Sequence, residues 1–119
     1  MELYFRKKNK TIIIQISGEI DHHTAAVLRH QTESALLELG GRNIIYDFQK
    51  VTFMDSSGIG MLIGRYKQLE SIGGRVAVIH INKTIAEMFH LSGLKSIIPV
   101  FDTIEKAMEH MEGRGKDAV

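Results

Sequence analysis

Apolar runs rich in β-branched residues alternate with helical stripes along this chain, and that alternation constrains its fold more than any other feature. Thr11 to Ser17 (Thr-Ile-Ile-Ile-Gln-Ile-Ser), Ile44 to Phe48 and Val76 to Ile79 are short runs of strand type. Glu2 to Lys7 alternates weakly and faces the first of them across the polar turn Lys8-Asn9-Lys10, which predicts an opening hairpin. Asp21 or Thr24 caps the first helix, in which Ala25, Leu28, Thr32, Ala35, Leu36 and Leu39 share one face before Gly40-Gly41 ends it. A second stripe holds Ile59, Leu62, Ile63, Tyr66, Leu69 and Ile72 and stops at Gly73-Gly74. Thr84 to Leu91 reads as a third helix, with Asn82 as its cap, Ile85, Met88 and Phe89 inward, and Ser92-Gly93-Leu94 closing it. Ile97 to Phe101 contains Pro99, which suits an edge strand or a strand end. Asp102 or Thr103 then caps a last helix carrying Ile104, Ala107, Met108 and Met111. The order ββαβαβαβα predicts an α/β fold, a single small domain on a mixed, mostly parallel sheet. The domain is expected over residues 1–112, with 113–119 as a frayed tail that has little to bury.

The totals exclude several classes. A length of 119 residues fits one domain with one core. A formal net charge of +1 gives no global field toward nucleic acid or a membrane surface. The absence of cysteine rules out disulfides, thiolate metal sites and cysteine nucleophiles. No apolar run approaches the roughly 20 residues that span a bilayer. The first residues, Met1 to Lys8, lack a signal-peptide core, so a cytoplasmic location is the expectation.

Chemistry concentrates in Val51-Thr52-Phe53-Met54-Asp55-Ser56-Ser57-Gly58-Ile59-Gly60. An apolar run turns small and polar, then enters the second helix near Ser57. Hydroxyls at a helix start act as caps, and the same free N–H groups tolerate an anion. The outward face of that helix is expected to carry Gly60, Met61 and Gly64. A helical glycine costs roughly 1 kcal/mol relative to alanine. The pair therefore implies either close packing of a neighbouring element or close approach of a partner's backbone. Asp21 and Asp55 both follow strand-like runs and are expected at one end of the sheet, where α/β folds place ligands.

Enzyme signatures fail one by one. Gly58-Ile59-Gly60 followed by Gly64 lacks the G-x-G-x-x-G spacing, because position 63 is isoleucine. Met54-Asp55 before the serines departs from a nucleophile elbow, and no P-loop is present. The six histidines form no H-E-x-x-H, and His22 and His23 are adjacent, a poor geometry for joint ligation. No cofactor or metal is expected. A small nucleotide-binding or hydrolytic domain using the glycine-rich turn is the alternative class.

Three segments together resemble the STAS domain: Gly18-Glu19-Ile20-Asp21-His22-His23-Thr24-Ala25, Phe53 to Gly60, and Gly64-Arg65-Tyr66-Lys67-Gln68. Ser92-Gly93-Leu94 also matches, and the likeness runs from about Thr11 to Met111. Asp-Ser-Ser-Gly followed by Ile-Gly is fairly specific for the bacterial antagonists of anti-sigma factors. The Asp-His-His-Thr-Ala segment narrows the likeness to the sporulation, anti-sigma-F branch. Ile59 in place of leucine is a conservative departure. The resemblance implies a small mixed sheet with helices packed mainly on one side, and a binding protein with no catalysis of its own. It implies that the unphosphorylated form binds an anti-sigma factor that is also a serine kinase, so that sigma factor is released. It further implies phosphorylation by that kinase on the first serine of the motif, Ser56, and restoration by a PP2C-type phosphatase. Asp21 matches the partner-binding loop of the family. His22, Asp55, Ser57, Gly58, Gly60, Met61 and Gly64 complete the expected partner-binding surface. A monomer is expected when free, and a general-stress anti-sigma kinase is the nearby alternative partner.

Overall fold

In the computed structural model, which describes residues 1–113, β1 (Glu2–Lys8) and β2 (Thr11–Ile20) form the opening antiparallel hairpin. Asn9 makes the turn at φ 57, a left-handed conformation that a short polar side chain tolerates. Its amide donates to Glu112 Oε2 at 2.6 Å, so the hairpin turn holds the residue that follows the last helix. Gly113 is buried, one residue beyond the expected domain boundary; the rest of the expected tail lies outside the described residues.

The elements that follow are α1 (His22–Leu39), β3 (Asn43–Met54), α2 (Ser56–Glu70), β4 (Val76–Ile79), α3 (Lys83–Ser92), β5 (Val100–Phe101) and α4 (Ile104–Met111), with one 3-10 turn at Leu94–Ser96. Strands lie in chain order, β1-β2-β3-β4-β5, and β2 to β5 are parallel. Each parallel connection is a crossover, and crossovers of one hand stepping in one direction put their helices on one face. Ile12, Ile14, Ile16, Ile44, Tyr46, Phe48, Val76 and Val78 line that face beneath α1, α2 and α3. Alternate residues of the same strands, Ile13, Ile45, Ala77 and Ile79, point the other way and are covered by Ala107, Met108 and Met111 of α4. Helices packed mainly on one side are therefore what this chain builds.

Local chemistry explains most boundaries. Gly40 ends α1 in the left-handed region at φ 72, its N–H donating to Leu36 O. Asn82 caps α3 and Thr103 caps α4 through side-chain oxygens. Four expectations need correction. β2 runs past Gly18 to Ile20, because register shifts between Gln15 and Ser17 and between Gly18 and Glu19 absorb the break in alternation. β3 likewise continues from the expected Ile44–Phe48 through to Met54. Ile72 lies beyond the last residue of α2 and is exposed, not part of the core stripe. Ile97 to Pro99 are not strand; β5 is only Val100–Phe101.

One polar pair is locked inside the core. Tyr46 and Thr32 are both fully buried and their hydroxyls lie 2.9 Å apart. Burial pushes the Tyr46 hydroxyl well above the ordinary tyrosine value, against a smaller opposing effect of the Thr32 hydrogen bond. The unfolded chain ionises this group near 10.0, whereas the folded chain keeps it neutral. Stability is therefore full below that pH and falls as pH rises above it, because the unfolded state then binds fewer protons. In an ultraviolet tyrosinate titration, Tyr46 is expected to ionise only together with unfolding. Tyr46→Phe, which strands the Thr32 hydroxyl, is expected to cost about 1–3 kcal/mol by denaturant titration.

Candidate functional site at the helix N-termini

β2 and β3 end side by side. Ile20 and Met54 are register partners, and the Asp55 N–H donates to Ile20 O at 3.1 Å. The two aspartates expected at one end of the sheet thus emerge from adjacent parallel strands, and each caps the helix that follows. Asp21 Oδ1 accepts from the Thr24 N–H at 2.9 Å, while Thr24 Oγ1 accepts from the Asp21 N–H at 2.8 Å, a reciprocal capping box. The backbone hydrogen bond from Thr24, then the one from its hydroxyl, hold the Asp21 carboxyl below the usual aspartate value. Asp55 Oδ1 accepts from the Ser57 N–H at 2.8 Å.

That cap separates the two serines. Ser56 is the first residue of α2, exposed, and its hydroxyl has no hydrogen-bond partner among the described residues. Ser57 is half-buried and faces α1. An enzyme approaching from solvent meets the Ser56 hydroxyl first.

A groove of ≈ 400 Å³ runs between α1 and α2 from this end. α1 contributes Ala25, Ala26 and Arg29 to it, and α2 contributes Gly60, Gly64 and Arg65. His22, Ser57 and Met61, three of the residues expected from sequence, line the same groove. Gly60 and Gly64 face open space: a Cβ at either would meet no atom within 4 Å. Of the two readings of these glycines, internal packing fails. Two expectations change. Met61 is 6% exposed and belongs to the core; it forms groove wall rather than an outward contact. Gly58 is buried, and a Cβ there would overlap the Met54 side chain and press on Ile20 Cγ2 at 3.1 Å. Its smallness seats α2 on the ends of β2 and β3, so it supports the surface from beneath.

Sequence reasoning missed Arg65. It is 7% exposed, its Nε donates to Gln68 Oε1 at 2.8 Å and its Nη2 lies 3.3 Å from Glu33 Oε2 on α1. Its Nη1 is buried with no hydrogen-bond partner. The Asp47–His80 pair was also missed. His80 Nδ1 lies 3.0 Å from Asp47 Oδ1, with His80 at φ 61, but neither residue lines the groove. Among the described residues no cluster of histidine, aspartate and glutamate is suited to a metal ion, and no helix is long and apolar enough to cross a membrane.

The chain is similar in sequence and in fold to known proteins. The anti-sigma F factor antagonist of Paenibacillus polymyxa is 36% identical over 101 residues, 85% of this chain and 86% of that protein. The structure of the anti-sigma factor antagonist SpoIIAA in its unphosphorylated form superposes with a TM-score of 0.73 at 28% identity, covering 94% of this chain and 99% of that one. A Bacillus cell fate determinant, SpoIIAA in the phosphorylated form, superposes with a TM-score of 0.70 at 30% identity, covering 92% of this chain and 98% of that one. The STAS domain model matches residues 3–107, nearly the whole described chain, and the protein belongs to the STAS domain family.

Proposed function

We propose that this STAS domain is an anti-sigma factor antagonist whose binding surface is switched by phosphorylation of Ser56. The unphosphorylated protein binds an anti-sigma factor that is also a serine kinase, and sigma factor is released. The kinase transfers a phosphoryl group from ATP to the Ser56 hydroxyl, which ends the interaction, and a PP2C-type phosphatase restores it. The chain acts as a binding partner, promotes sporulation transcription, and carries out no catalysis of its own.

The observation that carries this reading is the exposed, unpartnered Ser56 hydroxyl directly after Asp55, beside the Asp21 cap and the mouth of the α1–α2 groove. An anion at the first turn of α2 sits at the positive end of the helix dipole, so phosphate is compatible with the fold. The existence of SpoIIAA structures in both phosphorylation states supports the same switch in a chain of the same fold. The name of the Paenibacillus polymyxa relative supports the anti-sigma-F branch.

The test is release of sigma. Adding the unphosphorylated protein to a preformed complex of anti-sigma-F factor and its sigma factor is expected to free the sigma factor in a concentration-dependent way. The same titration against a general-stress anti-sigma kinase is expected to release little. Release from the second complex alone would reassign the partner, and release from neither would remove the proposed function.

A further inference from the structure

We propose that the free edge of β1 pairs with the β1 edge of a second copy of this chain, antiparallel about a two-fold axis at Phe5, so that two sheets join into one. This contact is independent of the antagonist surface: it lies beyond β2, on the side of the sheet away from β3 and the start of α2. The monomer expected from sequence is then the dilute form of the protein.

The direction of the backbone groups is the first support. β1 and β2 are joined by the two-residue turn Asn9-Lys10, and Lys8 and Thr11 face each other across it. A two-residue turn is closed by a pair that exchanges both hydrogen bonds, and such pairs then alternate along the ladder. Lys8, Arg6, Tyr4 and Glu2 therefore bond to β2, and the N–H and C=O of Leu3, Phe5 and Lys7 point outward. No described strand pairs with that edge, because β1 is the outermost strand of the sheet. Strand edges of this kind are templates for pairing with another chain. The three outward residues are centred on Phe5. A two-fold axis there sets Phe5 opposite Phe5, and Leu3 opposite Lys7 of the second copy, so that every outward N–H meets a C=O.

Charge is the second support. The same register sets Glu2 opposite Lys8, and Tyr4 opposite Arg6, of the second copy. All four side chains are exposed, Tyr4 at 56%. Symmetry makes each pair occur twice, one an ion pair across strands and the other a guanidinium against an aromatic ring. A parallel pairing would instead stack Arg6, Lys7 and Lys8 against their own copies. The third support is an edge that is poorly protected. β1 contains no proline, and its register with β2 is unbroken from Glu2 to Lys8, so no bulge turns it away. Lys7 is drawn toward the end of α1, where its Nζ lies 3.9 Å from the place a Cβ on Gly40 would take. A hollow of ≈ 310 Å³ lies beside Phe5, lined by Ala35 and Leu39 of α1, and the second Phe5 comes against it. The opposite edge, β5, has only two residues and follows Pro99.

The experiment is sedimentation velocity of the purified full chain from micromolar to millimolar concentration. It compares wild type with Lys7→Pro, Glu2→Lys, Lys8→Glu and the double exchange Glu2→Lys with Lys8→Glu. The Lys7 N–H lies outside the β2 ladder, so proline there removes an edge donor and leaves the hairpin paired. Circular dichroism verifies the folding of each variant. Wild type is expected to pass from monomer to dimer as concentration rises, and Lys7→Pro to remain monomeric. Either single charge change sets like charges opposite each other twice and is expected to weaken the dimer about tenfold, and the double exchange to restore it. Amide hydrogen exchange gives a second reading: Leu3, Phe5 and Lys7 are expected to gain protection with concentration, while Tyr4 and Arg6 are protected throughout. A wild type that stays monomeric at millimolar concentration, or a dimer that none of the changes weakens, would overturn the pairing. A double exchange as weak as the single changes would overturn the antiparallel register and the pairing with it.

Discussion

Phosphorylated on Ser56, the protein is expected to bind its anti-sigma factor about 100-fold more weakly than the unmodified form, with its fold intact. The phosphate adds nearly two negative charges at pH 7 to an exposed position at the start of α2. Within the free domain this is tolerated, because helix N-termini stabilise anions. In a complex the same group must be desolvated against a partner surface shaped for a neutral hydroxyl. It lies beside Asp21 and Asp55, and under the proposed function it would also meet the nucleotide phosphates of the kinase. An uncompensated charge at an interface costs a few kcal/mol, and about 2.7 kcal/mol corresponds to 100-fold in affinity. Titration calorimetry of the two forms checks the ratio. Amide chemical shifts check the mechanism: changes confined to the starts of α1 and α2 fit a surface switch, and changes spread through the sheet contradict it.

The largest effect on stability is expected from Gly74→Ala, far from the binding surface. A Cβ at position 74 would overlap the Arg42 backbone carbonyl and press on Leu69 Cβ at 3.3 Å. Neither group can move cheaply. The Gly74 N–H donates to Leu69 O at 2.7 Å, Arg75 N–H is held by Asn43 Oδ1 at 2.9 Å, and Ile44 N–H donates to Arg75 O at 2.9 Å. These bonds clamp the end of α2 to the start of β3, so relief requires the α2–β4 connection to shift. The expected cost is about 3–4 kcal/mol, a depression of the melting temperature by roughly 10–20 °C. Gly73→Ala serves as comparison. Its site is open and only its backbone, at φ 78, opposes a side chain, which costs about 1–2 kcal/mol. Equal losses at the two positions would contradict the overlap argument.

The alternation of apolar runs and helical stripes made the element order and most of each helix's buried face legible, with Met61 and Ile72 the exceptions, because burial on a two-layer fold imposes those periods directly. Asp21 and Asp55 were legible for a related reason: capping residues after strand-like runs mark the strand ends, and parallel strands bring those ends together. What stayed hidden depends on contacts between distant elements. The continuation of β3 past Phe48 was obscured by Gln49 and Lys50, since the accompanying register shifts interrupt the alternation that marks a strand. Arg65 reads as solvated surface in any single-helix view. Its burial follows from Glu33 on α1 and from how close the two helices lie. Gly58 and Gly60 look alike in the sequence, yet one sits against Met54 and Ile20 and the other faces open space. Only the packing of α2 on β2 and β3 separates them.

The central claim is that Ser56 is the switch. Its most direct measurement is the intact mass of the protein after incubation with the purified anti-sigma serine kinase and ATP, for wild type, Ser56→Ala and Ser57→Ala. The account predicts one phosphoryl group on wild type and on Ser57→Ala, and none on Ser56→Ala. An unmodified wild type, or a phosphoryl group retained by Ser56→Ala and lost by Ser57→Ala, would contradict it.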